Sequence, residues 1–151
     1  MESEIKKSRK PSIALGVFAA SFIVSAVCCF FCDFKNRNVF YFKAFDSKNL
    51  YTETEYTVKP QDKVRTFVDD LILGPMTNRY VRVFPQGTRV EFCHSKDGNL
   101  YIGLSKEALK VSSESLGIRE GCLLLRENIV RNFTSFNKIY IYIDGESVFQ
   151  E

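Results

Sequence analysis

The sequence has few of the residues on which catalytic and metal sites most often depend. Its 151 residues include one histidine, His94, and five cysteines. Three of these cysteines share one apolar segment: Cys28, Cys29 and Cys32. The remaining two, Cys93 and Cys122, exclude a disulfide-framework fold and offer no paired spacing for zinc. Two buried free thiols are the favoured interpretation, and a single Cys93–Cys122 bridge in an oxidising compartment is the alternative.

An excess of charge of either sign is also missing. Lys and Arg total 21 against 18 Asp and Glu, which gives a formal net charge of +3. Four of the basic residues lie among the first eleven, so the rest of the chain is nearly neutral. Proteins that bind nucleic acid neutralise many phosphates with basic side chains, and this composition therefore argues against that function. The apolar content of 45% is that of a globular protein and excludes disorder.

A run of 21 residues without a charged side chain extends from residue 12 to residue 32. As a helix it would reach roughly 30 Å, which is the hydrocarbon thickness of a bilayer. Basic residues crowd its N-terminal flank, and such flanks stay in the cytoplasm. The sequence therefore predicts four segments: a basic cytoplasmic tail (1–11), a transmembrane anchor (12–32), a linker (33–38) and an extracytoplasmic, periplasmic domain (39–151).

The same layout also describes a secretory or lipoprotein signal. A lipoprotein signal has a small residue before its cysteine, but Val27 precedes Cys28 in this chain. Bulky Phe30 and Phe31 continue the apolar run beyond any plausible cleavage point. An uncleaved anchor is therefore favoured, and a degenerate lipoprotein signal acylated at Cys28 or Cys29 is the alternative.

Residues 39–151 combine strand and helix patterns. Strand-like patterns cover 39–45, 50–58, 90–94, 100–104 and 138–144. Apolar residues three and four apart predict helices over 64–72, in a segment that Pro60 opens, and over 118–133. The last strand follows a helix, which favours a central position in a mixed sheet. The expected fold class is α/β, with a mixed sheet of about five strands covered by two helices and preceded by one transmembrane helix.

Glycine and proline mark the expected ends and turns. A Gly-Pro pair closes the first helix, and Phe84-Pro-Gln-Gly87 fits a turn with Pro second and Gly fourth. Two Asp-Gly pairs are typical of tight hairpin turns. The residues expected to shape the backbone are Gly74, Pro75, Pro85, Gly87, Thr88, Asp97, Gly98, Asp144 and Gly145.

Acidic pairs are the remaining candidates for chemistry. Asp69 and Asp70 are adjacent on a predicted helix, where neighbours diverge by about 100° and do not converge on one ion. Glu53 and Glu55 share a strand face and could serve a hydrolase, but such a face usually meets solvent. His94 has no partner at ligand spacing. No catalytic, cofactor-binding or metal-binding residue is therefore assigned, and no cofactor is expected.

The order of the motifs resembles the GerMN domain, first described in bacterial spore-germination and sporulation proteins. The resemblance covers residues 39–147 and rests on Leu71–Pro75, Phe84–Thr88, Asp97–Ser105 and Lys138–Gly145, with an apolar second helix over 123–136. The chain departs from the family pattern at Arg131–Thr134, where a Thr-Leu pair is usual. The resemblance implies a compact α/β module held outside the cytoplasmic membrane, which serves assembly or interaction without known enzymatic activity.

The leading hypothesis is a non-enzymatic, single-pass membrane-anchored, extracytoplasmic interaction or assembly module of the bacterial cell envelope. Its partner would be another envelope protein or a second copy of the chain. Arg and Tyr are favoured at interface centres, and the candidate patch comprises Arg79, Tyr80, Arg82, Arg89, Tyr140 and Tyr142. The same residues are also consistent with a purely structural role, in which a helix covers the tyrosines and the arginines are solvated. The alternative function is an envelope ligand-binding protein or hydrolase acting on peptidoglycan or lipid.

Overall fold

The computed structural model describes residues 10–31, 36–46, 49–57 and 62–148. The chain divides into two compact units, residues 1–34 and residues 35–151.

The first unit contains helix α1, Lys10–Phe31. The predicted helical structure of the apolar segment is thus confirmed over most of its length, and described side chains such as Leu15, Phe18 and Phe22 are exposed. Within the described ranges, no helix combines the length and the apolar character that crossing a membrane requires. The predicted transmembrane helix is therefore not supported by the structure.

In the described residues, the second unit contains seven strands, two α-helices and one 3-10 helix. The strands are β1 Asn36–Ala44, β2 Leu50–Thr57, β3 Tyr80–Val81, β4 Val90–Lys96, β5 Asn99–Leu104, β6 Lys138–Ile143 and β7 Glu146–Ser147. The helices are α2 Lys63–Leu73, α3 Ile118–Asn132 and the 3-10 helix Lys106–Leu109.

The strands form two sheets, so the prediction of one mixed sheet is wrong. The first sheet has the order β2-β1-β3 and is antiparallel. The second has the order β4-β5-β6-β7, in which β5 and β6 are parallel and the other pairs antiparallel. Because β6 lies between β5 and β7, the predicted central position of the last long strand is confirmed.

Two asparagines of α3 take the place of a further strand along β1. Asn128 Oδ1 accepts a hydrogen bond from the Tyr41 N–H at 2.8 Å, and its Nδ2 donates to the Tyr41 carbonyl at 3.0 Å. Asn132 makes the same pair of bonds with Val39, at 3.3 and 2.8 Å. Residues four apart rise about 6 Å along a helix, close to the roughly 6.8 Å between alternate strand residues. The side-chain amides therefore satisfy this edge of β1, and the first sheet does not join the second there.

One apolar core lies between the sheets and the helices. Helix α2 packs against β4, helix α3 packs against β1, and the two helices touch. The rings of Phe40 and Phe67 stack with centroids 4.8 Å apart, and Phe133 meets Phe67 edge-on at 5.2 Å. Gly121 permits the close approach of α3, since a β-carbon there would lie 2.6 Å from the Val83 carbonyl oxygen.

Helix α2 begins after Asp62, whose side chain caps it. One Asp62 oxygen accepts hydrogen bonds from the N–H groups of Val64 and Arg65, each at 3.0 Å, and so satisfies two donors of the first turn. The opening predicted at Pro60 lies outside the described residues. At the other end Gly74 has φ of 98°, a conformation that favours glycine.

Tight turns join the strands of the second sheet. Asp97-Gly98 has φ of 51° and 75°, and Asp144-Gly145 has φ of 52° and 79°, which is the type I′ geometry of two-residue hairpins. The turn at Pro85 begins one residue later than predicted, because the Thr88 N–H donates to the Pro85 carbonyl at 3.2 Å. Pro85 is thus first and Gly87, with φ of 91°, third.

Candidate interaction site

The six residues of the predicted patch lie on different parts of the second unit. Tyr80 is half-buried on β3 and stacks on Tyr51 with centroids 5.8 Å apart. Arg82 donates from Nη1 to the Leu73 carbonyl at 2.7 Å and so supports the end of α2. Arg79 is exposed beside Tyr80.

The other patch residues belong to the second sheet. Arg89 is exposed just before β4, and its N–H donates to Ser105 Oγ at 3.2 Å. Tyr140 and Tyr142 are half-buried on β6. The structure therefore groups Arg79, Tyr80 and Arg82 near β3, and it groups Tyr140 with Tyr142 on β6.

One face of the second sheet carries aromatic side chains across three strands. Strand register places His94, Tyr101 and Tyr140 side by side. The Tyr101 and Tyr140 rings stack at 5.0 Å with planes 12° apart, and the His94 and Tyr101 rings stack at 5.3 Å. In the next row Phe92 lies 5.9 Å from Tyr142. We call these five side chains the aromatic face: Phe92, His94, Tyr101, Tyr140 and Tyr142.

A glycine makes room for this packing. Gly103 lies between Phe92 and Tyr142 in the register of the sheet. A β-carbon at Gly103 would fall 2.2 Å from Cε1 of the Phe92 ring. The ring of Phe92 therefore occupies the space that any other residue would need for its side chain.

A polar row closes one end of the aromatic face. Lys96 pairs with Asn99, and Asn99 pairs with Lys138. Both lysines are exposed, whereas Leu100 and Ile102 on the opposite side of the sheet are buried. The surface thus combines stacked rings with two positive charges.

A cleft of about 100 Å³ lies between α3 and β6, beside the aromatic face. It is lined by Cys122, Leu123 and Arg126 of α3 and by residues 138–141 of β6. Strand β7 pairs with β6 only at Tyr142 and Ile143, and the Val148 N–H adds a bond to the Ile141 carbonyl at 3.0 Å. In the described part of the chain, no strand covers the outer edge of the first half of β6.

One of the two strand carboxylates that suggested a hydrolase, Glu53, has structural partners. Glu53 accepts hydrogen bonds from the Met76 N–H at 3.0 Å and from Thr77 Oγ1 at 2.9 Å. Glu53 pairs with buried Phe40 and is itself half-buried. The two oxygens of Glu53 hold the loop after α2.

Three further side chains of potential chemical interest are shielded from solvent: Asp70 is half-buried, and Cys93 and Cys122 are buried. Burial, with a smaller effect of nearby Glu55, raises the pKa of the Asp70 carboxyl, one of whose oxygens is buried without a hydrogen bond. Burial also raises the pKa of the Cys93 and Cys122 thiols to about 11, and both cysteines are free. Such thiols stay protonated at neutral pH and are poor nucleophiles. Among the described residues, no group of three His, Cys, Asp or Glu side chains could hold a metal ion.

Sequence reasoning identified only Tyr140 and Tyr142 of the aromatic face. Alternation in β4 and β5 places Phe92 and Tyr101 on one side of their strands, which is a signal that the sequence contains. The parallel pairing of β5 with β6 brings these rings next to Tyr140, and it joins strands more than 30 residues apart. Local patterns contain no information on that pairing.

Fold and surface together define a small mixed α/β module with an aromatic face on its second sheet. The chain belongs to the Germane family, described as "Sporulation and spore germination", whose model matches residues 39–149. The GerMN resemblance of the motifs is thereby confirmed.

Similar proteins include an uncharacterized lipoprotein of Treponema pallidum, 26% identical over 87 residues. The match covers 58% of this chain and 65% of the lipoprotein, so the chain spans less than two thirds of that relative.

Two solved structures from Bacillus subtilis have the same fold. The first GerMN domain of the sporulation protein GerM matches with a TM-score of 0.59 and 18% identity, over 75% of this chain and 86% of that one. The tandem GerMN domains of the same protein match with a TM-score of 0.60 and 18% identity, over 76% of this chain and 41% of that one. At this identity the likeness extends to the fold alone.

Proposed function

We propose that this protein is a membrane-attached interaction module of the bacterial cell envelope, whose folded domain works outside the cytoplasmic membrane without catalysing a reaction. Membership of the Germane family and similarity to a protein named as a lipoprotein support this proposal. The order of a basic tail followed by an apolar segment supports the same topology.

The aromatic face is the observation that carries the proposal. Tyr rings offer large contact area at low entropic cost, and they are enriched at protein interfaces. The rings of Tyr101, Tyr140 and Tyr142 are only half-buried, and lysines flank them at one end. A surface of this kind fits recognition of another envelope protein.

The segment 12–32 is proposed to attach the protein to the membrane. Attachment takes one of two forms, an uncleaved anchor or a lipoprotein signal processed before Cys28 or Cys29. Intact-mass measurement of protein extracted from membranes separates the two, since processing removes the first 27 or 28 residues. Protease treatment of intact spheroplasts tests the topology, because an extracytoplasmic domain is digested while the cytoplasm stays protected.

The alternative of a peptidoglycan or lipid hydrolase has less support. Its candidate carboxylates were Glu53 and Glu55, and Glu53 already accepts two hydrogen bonds from the loop after α2. In a hydrolase of this kind, at least one of the two carboxylates must exchange a proton with the substrate. The hydrogen bonds of Glu53 to the loop favour a structural role for it instead.

Photo-crosslinking in native membranes tests the interaction proposal. Tyr101→Ala removes the ring in the middle of the stacked row, whereas Tyr56→Ala removes a 61% exposed ring from β2 and is the matched control. We expect the wild type and Tyr56→Ala to give the same crosslinked protein and Tyr101→Ala to lose it. The proposal fails if no product rises above background or if Tyr101→Ala leaves every product unchanged.

A further inference from the structure

We propose that a cleft beside β3 binds a free α-amino acid with an apolar side chain, whose carboxylate pairs with Arg82 and whose ammonium group pairs with Glu114. None of the residues that line this cleft belongs to the aromatic face. The inference therefore goes beyond the proposed function and does not depend on it.

The cleft has the size of a small-molecule site. Its volume is about 300 Å³, and it lies where the end of β1, the loop after α2 and β3 meet. Small-molecule sites have volumes of about 300–1,000 Å³, so this cleft suits one small ligand. The uncharged lining residues are Phe45, Pro75, Thr77, Asn78 and Tyr80, and the charged ones are Arg82 and Glu114.

The two charged residues of the cleft have opposite signs. Among the described residues, no ion pair joins Arg82 to Glu114, and neither pairs with another charged side chain. Opposite charges that share a cleft without an ion pair leave room between them for a ligand that carries both. An α-amino acid carries both on one carbon atom. The guanidinium group of arginine binds carboxylates through two parallel hydrogen bonds, and the oxygens of a glutamate accept hydrogen bonds from an ammonium group.

The fold holds Arg82 in place before a ligand binds. Its Nη1 donates to the Leu73 carbonyl at 2.7 Å. The side chain packs on Gly74, where a β-carbon would lie 3.1 Å from Nη1. A guanidinium group has further N–H donors that this bond does not use. Because the side chain is already fixed, binding a carboxylate costs less conformational entropy.

Backbone hydrogen bonds hold Glu114 beside Arg82. The Arg82 N–H donates to the Glu114 carbonyl at 3.1 Å, and the Leu116 N–H donates to the Arg82 carbonyl at 2.9 Å. The Glu114 N–H donates to Ser112 Oγ at 3.2 Å. Hydrogen bonds of the main chain therefore fix the two charged residues relative to each other.

Aromatic residues of the cleft determine which side chain the ligand carries. Phe45 is 58% exposed although it lines the cleft. The Tyr80 ring is held by stacking on Tyr51, with centroids 5.8 Å apart, and on Phe42, with centroids 6.3 Å apart. An apolar ligand side chain would remove part of the exposed Phe45 surface from water, which favours binding. We therefore expect an amino acid such as leucine and not one with a charged side chain.

Titration of the full chain in detergent micelles, followed by nuclear magnetic resonance, tests the site with three probes. The probes are leucine, N-acetylleucine, which lacks the ammonium group, and leucinamide, which lacks the carboxylate. The two derivatives also imitate the C-terminus and the N-terminus of a peptide. We expect leucine to bind about tenfold more tightly than either derivative, because each derivative loses one hydrogen-bonded charge pair.

Charge reversal tests the role of Glu114. Glu114→Lys should reverse the preference, so that N-acetylleucine binds more tightly than leucine. Glu91→Lys makes the same change at an exposed glutamate of β4 and should leave the preference unchanged.

Arg82→Lys tests the contact with the carboxylate. We expect it to weaken binding of leucine and N-acetylleucine by about tenfold and to keep leucinamide within about twofold, because a lysine lacks the two-pronged geometry. Arg82 also supports the end of α2, so thermal unfolding checks that this variant folds. If it does not fold, the three probes and Glu114→Lys decide.

The inference is overturned if leucine does not bind, if either derivative binds as tightly as leucine, or if Glu114→Lys leaves the preference unchanged. Equal binding of N-acetylleucine would indicate recognition of a carboxylate alone. The proposed function fails by a different result, the crosslinking of Tyr101→Ala, because Tyr101 does not line the cleft.

Discussion

Replacement of Asn128 tests the explanation of why the fold has two sheets. Its side chain is fully buried, and its amide bonds to the Tyr41 N–H, the Tyr41 carbonyl and the Leu124 carbonyl at 2.8, 3.0 and 2.9 Å. Asn128→Ala leaves both Tyr41 backbone groups without partners. An unsatisfied buried polar group costs about 1–3 kcal/mol, so we expect a loss of about 3 kcal/mol in the free energy of unfolding.

Urea unfolding of the full chain in mild detergent, followed by tyrosine fluorescence, measures this loss. With an m-value of about 1.5 kcal/mol/M, the midpoint should fall by about 2 M. Asn132→Ala is the matched control, because Asn132 makes the same pair of bonds from a half-buried position. Its loss should be smaller, about 1 kcal/mol. The reasoning is refuted if Asn128→Ala costs no more than Asn132→Ala.

Asn128→Asp separates the hydrogen bonds from the packing. The shape is kept, but an oxygen replaces the amide nitrogen that donates to two carbonyls. Burial raises the pKa of such a carboxyl above the unfolded value of about 3.9. The folded state then binds more protons, and stability falls as pH rises. We expect the deficit relative to wild type to shrink as pH approaches 4, and a deficit independent of pH would contradict the assignment.

Three further outcomes follow from buried groups. Gly121→Ala should destabilise the fold by about 1 kcal/mol or more, although alanine is the better helix former, because the new β-carbon would clash with the backbone carbonyl of Val83. Thermal unfolding measures this loss, and Gly117→Ala is the control because the space around Gly117 is open. Asp70→Asn should raise the melting temperature at pH 7 and lose this advantage near pH 4, since a raised carboxyl pKa lowers stability as pH rises; a gain that persists at low pH would point to another cause. Alkylation mapped by mass spectrometry should label Cys93 and Cys122 only after denaturation, and a Cys93–Cys122 bridge in the purified protein would contradict the free thiols.

Local patterns predicted most of the secondary structure because they depend on neighbouring residues alone. The apolar stripe of α2, the alternation of β6 and the two Asp-Gly turns each follow from backbone geometry and from burial on one side. The motifs of the GerMN domain have the same origin, so the family could be recognised from sequence.

Tertiary structure decided how the elements combine. Asn128 occupies a buried position of α3, where an apolar pattern assigns no polar role, and its amide bonds to the β1 backbone at Tyr41, where the short pairing with β3 does not reach. The aromatic face forms only when β4, β5 and β6 pair in register, and within the described residues β7 pairs with β6 only at Tyr142 and Ile143. Each of these features depends on contacts between distant residues, which local propensity and periodicity do not encode, whereas the helices, strands and turns depend on contacts within a few residues.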